Sequence, residues 1–177
     1  VIVENDVSMW SDQTGVIYHF PKRYEKILAS GTEVLYYKGR IRDKGFASAR
    51  LSSSPHYFGK GRIGEVFVDT GSKKGDLYAR IEGFTPFQFA VPAKVNGQYF
   101  EAIPLSKKAN YWRDGVRQLT NENFDAILKS AVLLSSTLDI TDAHFELQEL
   151  ESYVEGNKVS YYGTRYERDS KLRAKVI

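Results

Sequence analysis

Short runs of β-branched and aromatic residues, separated by turn-forming residues, dominate the first 105 residues of this chain. Such runs are typical of β-strands, because these side chains pack well on a pleated surface. The predicted strands are residues 16–20, 33–37, 57–69, 76–84, 87–92 and 98–103. Glycines at 59 and 61 interrupt the third run, which predicts a bulge or a close approach of another backbone or ligand there. Together these runs predict a small, strongly bent sheet or barrel.

Helices are predicted at two places. Pro21 suits the first turn of a short helix that ends at Gly31. Thr120 is a candidate N-cap for a second helix, because apolar residues recur after it at helical spacing. These apolar residues are Phe124, Ile127, Leu128 and Ala131. Residues 142–154 are predicted to form a further helical or extended stretch.

The change of pattern near residue 156 predicts the domain organisation. Residues 1–155 are interpreted as one recognition domain, in which the strand-like first 105 residues are followed by helical stretches from Thr120. Residues 156–163 break that pattern with glycine and polar residues. Residues 165–177 are a basic amphipathic segment without a stop signal, so residues 156–177 are interpreted as a basic linker toward a further module.

Charge is segregated along the chain. Residues 19–62 contain ten Lys or Arg and three carboxylates, whereas residues 120–155 carry a net charge of −7. The basic stretch is interleaved with aromatic residues. Cations neutralise phosphates and aromatic rings stack on bases, so this mixture favours a nucleic-acid partner. The alternative is a barrel whose aromatic residues fill the core and whose lysines are only solvated.

Several enzyme classes lack their signatures in this chain. It has no cysteine, which excludes disulfides and thiolate metal sites and fits a reducing cytoplasm. Its three histidines are widely separated in sequence, and no phosphate-binding or nucleophile-elbow motif is present. Residues 59–64 contain glycines in a nucleotide-like pattern, but they lead into a strand rather than a helix. No apolar run approaches the length of a membrane span, so no membrane partner is predicted.

The aromatic residues favour the hypothesis that the protein has a pocket for one extruded base. Extrusion costs a few kcal/mol, and stacking on aromatic side chains returns about 1–3 kcal/mol per base. Asp12 is a candidate acceptor for the N4 amine of cytosine. The candidate aromatic walls are Trp10, Tyr18, Phe20, Tyr36, Tyr37, Tyr57 and Phe58. For any one of them the alternative is a place in the core.

Three motifs carry a resemblance to a known family. They are W-x-D-x-x-G-x-x-Y-x-F-P-x-x-Y from Trp10, G-x-x-V-x-Y-Y-x-G from Gly31, and Y-F-G-x-G-x-I-G-x-V from Tyr57. In this order they resemble the N-terminal domain of type IV HNH restriction endonucleases. That domain is similar to the EVE and PUA-like group, which includes the YTH and SRA readers of modified bases. Residues 116–128 resemble its helical end, and residues 166–177 resemble the approach to the HNH module.

The resemblance implies an α+β fold, a PUA/EVE-like bent β-barrel with flanking helices. It also implies a reader of 5-methylcytosine or 5-hydroxymethylcytosine that flips the base into its pocket, with modified double-stranded DNA as partner. The parent protein would be a prokaryotic, cytoplasmic endonuclease, and a homodimer is one assembly open to it. Hydrolysis and its divalent metal would belong to the HNH module, so these 177 residues are expected to bind DNA without cutting it and without a cofactor.

The loop at residues 40–55 and its neighbours supply the cations for the DNA backbone. The predicted phosphate contacts are Lys38, Arg40, Arg42, Lys44, Arg50, Lys60 and Arg62. Three alternatives stay open. They are an RNA-binding PUA or YTH-type module, which would prefer single strands or 2′-hydroxyls, a self-contained enzyme, and a dimerisation domain that uses the acidic residues 120–155.

Overall fold

A sheet of five strands organises the protein in the computed structural model, which describes residues 1–7 and 10–134. The strands are β1 (Ile2–Val3), β2 (Ile17–Phe20), β3 (Glu33–Lys38), β4 (His56–Val68) and β5 (Leu77–Pro92). Their order in space is β1-β3-β4-β5-β2. β1 is parallel to β3, and the other pairs are antiparallel. A second, two-stranded sheet pairs β6 (Lys94–Val95) with β7 (Gln98–Tyr99).

Helices flank the sheet. Residues 121–134 form the α-helix α1. Short 3₁₀ helices occupy Lys22–Tyr24, Lys44–Ala49, Leu105–Lys107 and Tyr111–Arg113. The hydroxyl of Thr120 accepts a hydrogen bond from the Asn123 amide at 3.2 Å, which confirms the predicted N-cap. The described residues therefore form a mixed α+β fold, and the predicted fold class is confirmed at this level.

The helix predicted to begin at Pro21 is wrong, because only the 3₁₀ turn Lys22–Tyr24 forms there. Gly31 ends the connection in the left-handed region at a φ of 88°. Its amide donates to the carbonyl of Ile63 at 2.7 Å, which leads the chain directly into β3. The apolar positions keep their predicted role, since Tyr24 and Leu28 are buried.

β4 and β5 form a long antiparallel hairpin that three register shifts interrupt. A Cβ atom at Gly59 would stand 2.8 Å from the Phe84 ring, and one at Gly61 would stand 2.9 Å from Ile81. The close approach predicted at these glycines is confirmed, and the bulges bend the hairpin. The strands predicted separately at 76–84 and 87–92 are one strand, since Gly83 turns at a φ of 58° while pairing to β4 continues.

The central strand β3 is buried on both faces because side chains alternate along a strand. Val34 and Tyr36 face one core cluster, which includes Ile2, Phe20 and Ile63. Leu35 and Tyr37 face a second cluster with Tyr57, Val91 and Ile127. Ile127 belongs to α1, so the helix covers this second face of the sheet.

The bend of the sheet brings its two edges, β1 and β2, toward each other. The hydroxyl of Tyr18 in β2 lies 3.5 Å from the carbonyl oxygen of Val3 in β1 and 3.1 Å from that of Gly115. No ladder pairing joins β1 to β2 in the described part of the chain. The predicted sheet is confirmed as five strands, whereas the described strands do not show a closed barrel.

The predictions for residues 142–154 and 156–177 lie outside the described residues. Within the described ranges, no helix is long and apolar enough to cross a membrane.

Candidate functional site

Two adjoining pockets form a cleft between residues 4–7, the loop 39–51 and the start of β4. Their volumes are about 290 and about 370 Å³. Both are lined by Glu4, Asn5, Asp6, Phe46 and Arg50. The first pocket adds Arg40, Arg42 and Asp43, and the second adds Lys38, His56 and Phe58. We call the two together the N-terminal cleft.

Ion pairs balance the charges on the inner wall of the N-terminal cleft. Lys38 Nζ lies 3.1 Å from a carboxylate oxygen of Glu4 and 3.3 Å from one of Asp6. Arg50 Nη1 lies 2.8 Å from the other oxygen of Asp6, and its Nη2 donates to the carbonyl of Gly39. All four charged side chains are at most 15% exposed. Two cations and two carboxylates leave this wall without net charge.

His56 lines the same cleft and is 1% exposed. Its Nδ1 lies 2.7 Å from the carbonyl oxygen of Ser54. Its buried Nε2 has no hydrogen-bond partner among the described residues. Burial lowers the pKa of His56, and the positive charges of Arg50 and Lys38 lower it further, against the opposing effects of Ser54 and Asp6. The ring is therefore neutral near pH 7.

Aromatic and cationic side chains complete the cleft. Phe58 is half-buried, its ring centroid lies 5.4 Å from that of Tyr36, and Lys38 Nζ lies 5.5 Å above it. Phe46 is half-buried on the opposite loop, within the 3₁₀ helix Lys44–Ala49. Arg40 and Arg42 are exposed at the rim and have no ion-pair partner among the described residues. The same holds for Lys44 beside them.

A smaller cavity of about 170 Å³ brings together three of the predicted base-pocket residues, Trp10, Asp12 and Tyr18. Asp12 accepts a hydrogen bond from the His19 amide at 2.7 Å. The indole of Trp10 meets the His19 ring edge to face, with centroids 4.8 Å apart. Arg23 and Arg113 also line this space, which we call the Trp10 cavity.

The other predicted aromatic walls lie in the core. Phe20, Tyr36, Tyr37 and Tyr57 are at most 4% exposed. The Tyr36 hydroxyl accepts from the Gly15 amide at 3.2 Å, and the Tyr57 hydroxyl donates to Glu101 at 2.8 Å. The eight predicted residues thus fall into three places, with Phe58 in the N-terminal cleft and three residues at the Trp10 cavity. For the four core rings, the structure follows the alternative left open by the sequence.

Lys60 and Arg62 lie on the outer side of β4 and do not line the N-terminal cleft. Both are exposed, and Arg62 Nη2 lies 3.6 Å from a carboxylate oxygen of Glu82. Five of the seven predicted phosphate contacts belong to the cleft or its loop instead. Two of these five, Lys38 and Arg50, are already paired with carboxylates.

Sequence reasoning missed Glu4, Asp6 and His56 as parts of this site. The acidic character of the N-terminal residues was visible, and opposite charge on the loop was a signal that the two segments meet. No comparable signal marked His56, because its importance comes from burial.

A buried ion pair elsewhere was also missed. Arg117 donates to both carboxylate oxygens of Glu101, at 2.6 and 2.9 Å. Tyr57 and Tyr111 donate to the same carboxylate at 2.8 and 2.9 Å. Burial opposes the charge of Glu101, but these hydrogen bonds and the charge of Arg117 outweigh it and lower its pKa. Both groups are fully partnered, so this network holds the second core cluster together.

No family model, no curated protein and no solved structure matches the chain. The resemblance to HNH restriction endonucleases therefore stays a prediction. In the described residues, no three His, Cys, Asp or Glu side chains lie close enough together to hold a metal ion.

Proposed function

We propose that the protein binds DNA and recognises a modified base by holding one extruded nucleotide in the N-terminal cleft. The observation that carries this proposal is the division of charge within one cleft. Its inner wall is charge-balanced by Glu4, Asp6, Lys38 and Arg50. Its rim carries exposed arginines without carboxylate partners among the described residues. A nucleotide has the matching division, with a neutral base and an anionic phosphate.

The aromatic side chains supply the contact that an extruded base needs. Phe46 and Phe58 both line the second pocket of the N-terminal cleft, the one that contains His56. Stacking on aromatic rings returns about 1–3 kcal/mol per base, which offsets an unstacking cost of a few kcal/mol. Arg40, Arg42 and Lys44 then hold the flanking phosphates, while Lys38 and Arg50 keep the inner wall in shape.

The proposal also includes the predicted PUA/EVE-like fold for this chain. The hydroxyl of Tyr18 in β2 reaches the carbonyls of Val3 in β1 and of Gly115, and this link between the two edges of the sheet supports it. In this context the chain is the recognition part of a prokaryotic, cytoplasmic HNH endonuclease. Modified double-stranded DNA is its partner, and the divalent metal serves the nuclease module.

Salt-dependent binding tests the role of the rim. We expect Arg40→Ala and Arg42→Ala each to weaken binding to a 5-methylcytosine duplex and to flatten the plot of log K against log salt by about one unit. Arg80→Ala is the matched control, because Arg80 is exposed on β5 and pairs with Glu65 at 3.1 Å. Fluorescence anisotropy at several salt concentrations measures the affinity of the three variants and of the wild type. Equal slopes for the three variants and the wild type would remove the rim from the proposal.

The modified base is identified by a panel of matched duplexes carrying cytosine, 5-methylcytosine, 5-hydroxymethylcytosine or 6-methyladenine. We expect one modified duplex to bind more tightly than the unmodified one. A single-stranded RNA competitor accompanies each measurement. Stronger binding to RNA than to every duplex would replace the DNA proposal with the RNA-binding alternative.

A further inference from the structure

The hydrogen-bonding state of His56 is fixed by its surroundings. A carbonyl oxygen only accepts, so the Nδ1 that lies 2.7 Å from the Ser54 carbonyl carries the hydrogen. In a neutral imidazole the other nitrogen is then a bare acceptor. Nε2 is this acceptor, and it is buried without a partner among the described residues.

A buried acceptor without a donor costs free energy, so a ligand that brings a donor is favoured. The neighbours of His56 restrict what that ligand is. Lys38 and Arg50 line the same pocket, and their pairs with Glu4 and Asp6 leave no net negative charge that would attract a metal ion to Nε2. Their partners Glu4 and Asp6 already neutralise them, so an anion gains little at the inner wall. A neutral donor is the group that fits, and the exocyclic amine of a base is such a donor on a planar ring.

We propose that His56 makes the N-terminal cleft selective for bases with an exocyclic amine at C4 of a pyrimidine or C6 of a purine, namely cytosine, adenine and their derivatives that retain an N–H on that amine. This inference rests on the proposed function, because it assigns the class of base to the same cleft. Uracil, thymine and hypoxanthine carry a carbonyl where cytosine and adenine carry the amine. That oxygen would face the lone pair of Nε2, and two acceptors cannot share a hydrogen bond.

The decisive test compares bases that differ only in this group. The full chain is titrated with oligonucleotide duplexes that carry cytosine or uracil, or adenine or hypoxanthine, at one position opposite an abasic site. The abasic site removes the Watson–Crick pair, so the two members of each comparison share the cost of extrusion. We expect cytosine and adenine to bind about tenfold to a hundredfold more tightly than their deaminated forms.

Equal affinity within both comparisons would overturn the inference while leaving the proposed function standing. Loss of all binding, or binding that ignores the rim arginines, would instead contradict the proposed function. The His56→Leu variant should bind both members of each comparison equally, because it removes the acceptor. Retained selectivity in a folded His56→Leu protein would also overturn the inference.

A second measurement needs no substitution. The chain has only three histidines, so ¹⁵N NMR can assign the imidazole nitrogens of the wild-type protein. We expect a protonated Nδ1 and a bare Nε2 for His56, and a shift of the Nε2 signal when the cytosine oligonucleotide is added. A proton on Nε2 in the free protein would contradict the proposal.

Discussion

Two buried polar residues, Glu101 and His56, differ in whether their polar atoms have hydrogen-bond partners. Glu101 is 2% exposed, and three side chains donate to its carboxylate. His56 is 1% exposed, and its Nε2 has no partner among the described residues. Buried polar groups are generally paired, and Glu101 follows this rule through Tyr57, Tyr111 and Arg117. The exception at His56 lies in the cleft that also holds exposed cations, which is why we place function there.

The lowered pKa of His56 predicts a pH dependence of stability. The pKa falls below its ordinary value of 6.5 because the ring is buried and lies near Arg50 and Lys38, while Asp6 opposes the shift. Below pH 6.5 the unfolded chain therefore binds a proton that the folded protein does not. Folding stability should decrease as the pH falls through this window toward the folded-state pKa.

Urea unfolding at pH 7.5 and 5.5 measures this effect. The loss of unfolding free energy between the two pH values should be smaller in His56→Leu than in the wild type, since the variant lacks the group. Other titrating groups contribute equally to both proteins. An identical loss in the two would show that His56 does not titrate differently in the folded state.

At the scale of the elements, the glycines of β4 decide the shape of the sheet. Gly59 packs against Phe84 and against the backbone of Thr85, where a Cβ atom would stand 3.1 Å from the carbonyl oxygen. The bulge there bends β4 next to the residues that line the N-terminal cleft. The long hairpin thus positions His56 and Phe58 through its own curvature.

Gly59→Ala should lower the unfolding free energy by about 1–3 kcal/mol, because the added methyl group overpacks the contact with Phe84 and the Thr85 carbonyl. Gly39→Ala is the matched control, since the nearest atom to a Cβ there, on Tyr37, lies at 4.0 Å. Urea denaturation of both variants measures the difference. An equal effect of the two substitutions would show that the close packing at Gly59 does not limit stability.

At the scale of the whole molecule, the fold distributes the charges in a way that their order along the chain does not suggest. The basic stretch at residues 19–62, taken alone, favours a nucleic-acid partner. The N-terminal acidic residues Glu4 and Asp6 cover part of it and pair with Lys38 and Arg50. Arg40 and Arg42 stay exposed at the rim, so the positive surface is smaller and adjoins a defined cleft.

The two candidate cavities are distinguished by a pair of substitutions. Phe46→Ala should weaken DNA binding by about 1–3 kcal/mol, because it removes a stacking surface from the N-terminal cleft. Trp10→Ala should leave affinity and preference for the modified base unchanged, since Trp10 lines the Trp10 cavity and neither pocket of the N-terminal cleft. Binding titrations against modified and plain duplexes measure both. The reverse outcome would place the base in the Trp10 cavity.

Local signals of the sequence predicted much of the fold correctly. Runs of β-branched and aromatic residues located β2, β3 and β4, and Thr120 marked the start of α1. These features depend on neighbours in the chain, so periodicity and capping chemistry are enough to find them. The helix predicted from Pro21 is wrong, since only a 3₁₀ turn forms there, and the long-range hydrogen bond from Gly31 to Ile63 that leads the chain into β3 has no local signal in the sequence.

The sequence by itself determined the α+β class, the main strands and the presence of cations among aromatic residues. Only the tertiary structure decided which of these side chains are available to a ligand. Tyr36 and Tyr57 are core residues and Phe58 lines a cleft, although all three belong to similar runs. The physical reason is that burial and ion pairing depend on segments distant in sequence. Asp6 and Arg50 are 44 positions apart in sequence, and only the folded chain brings them together.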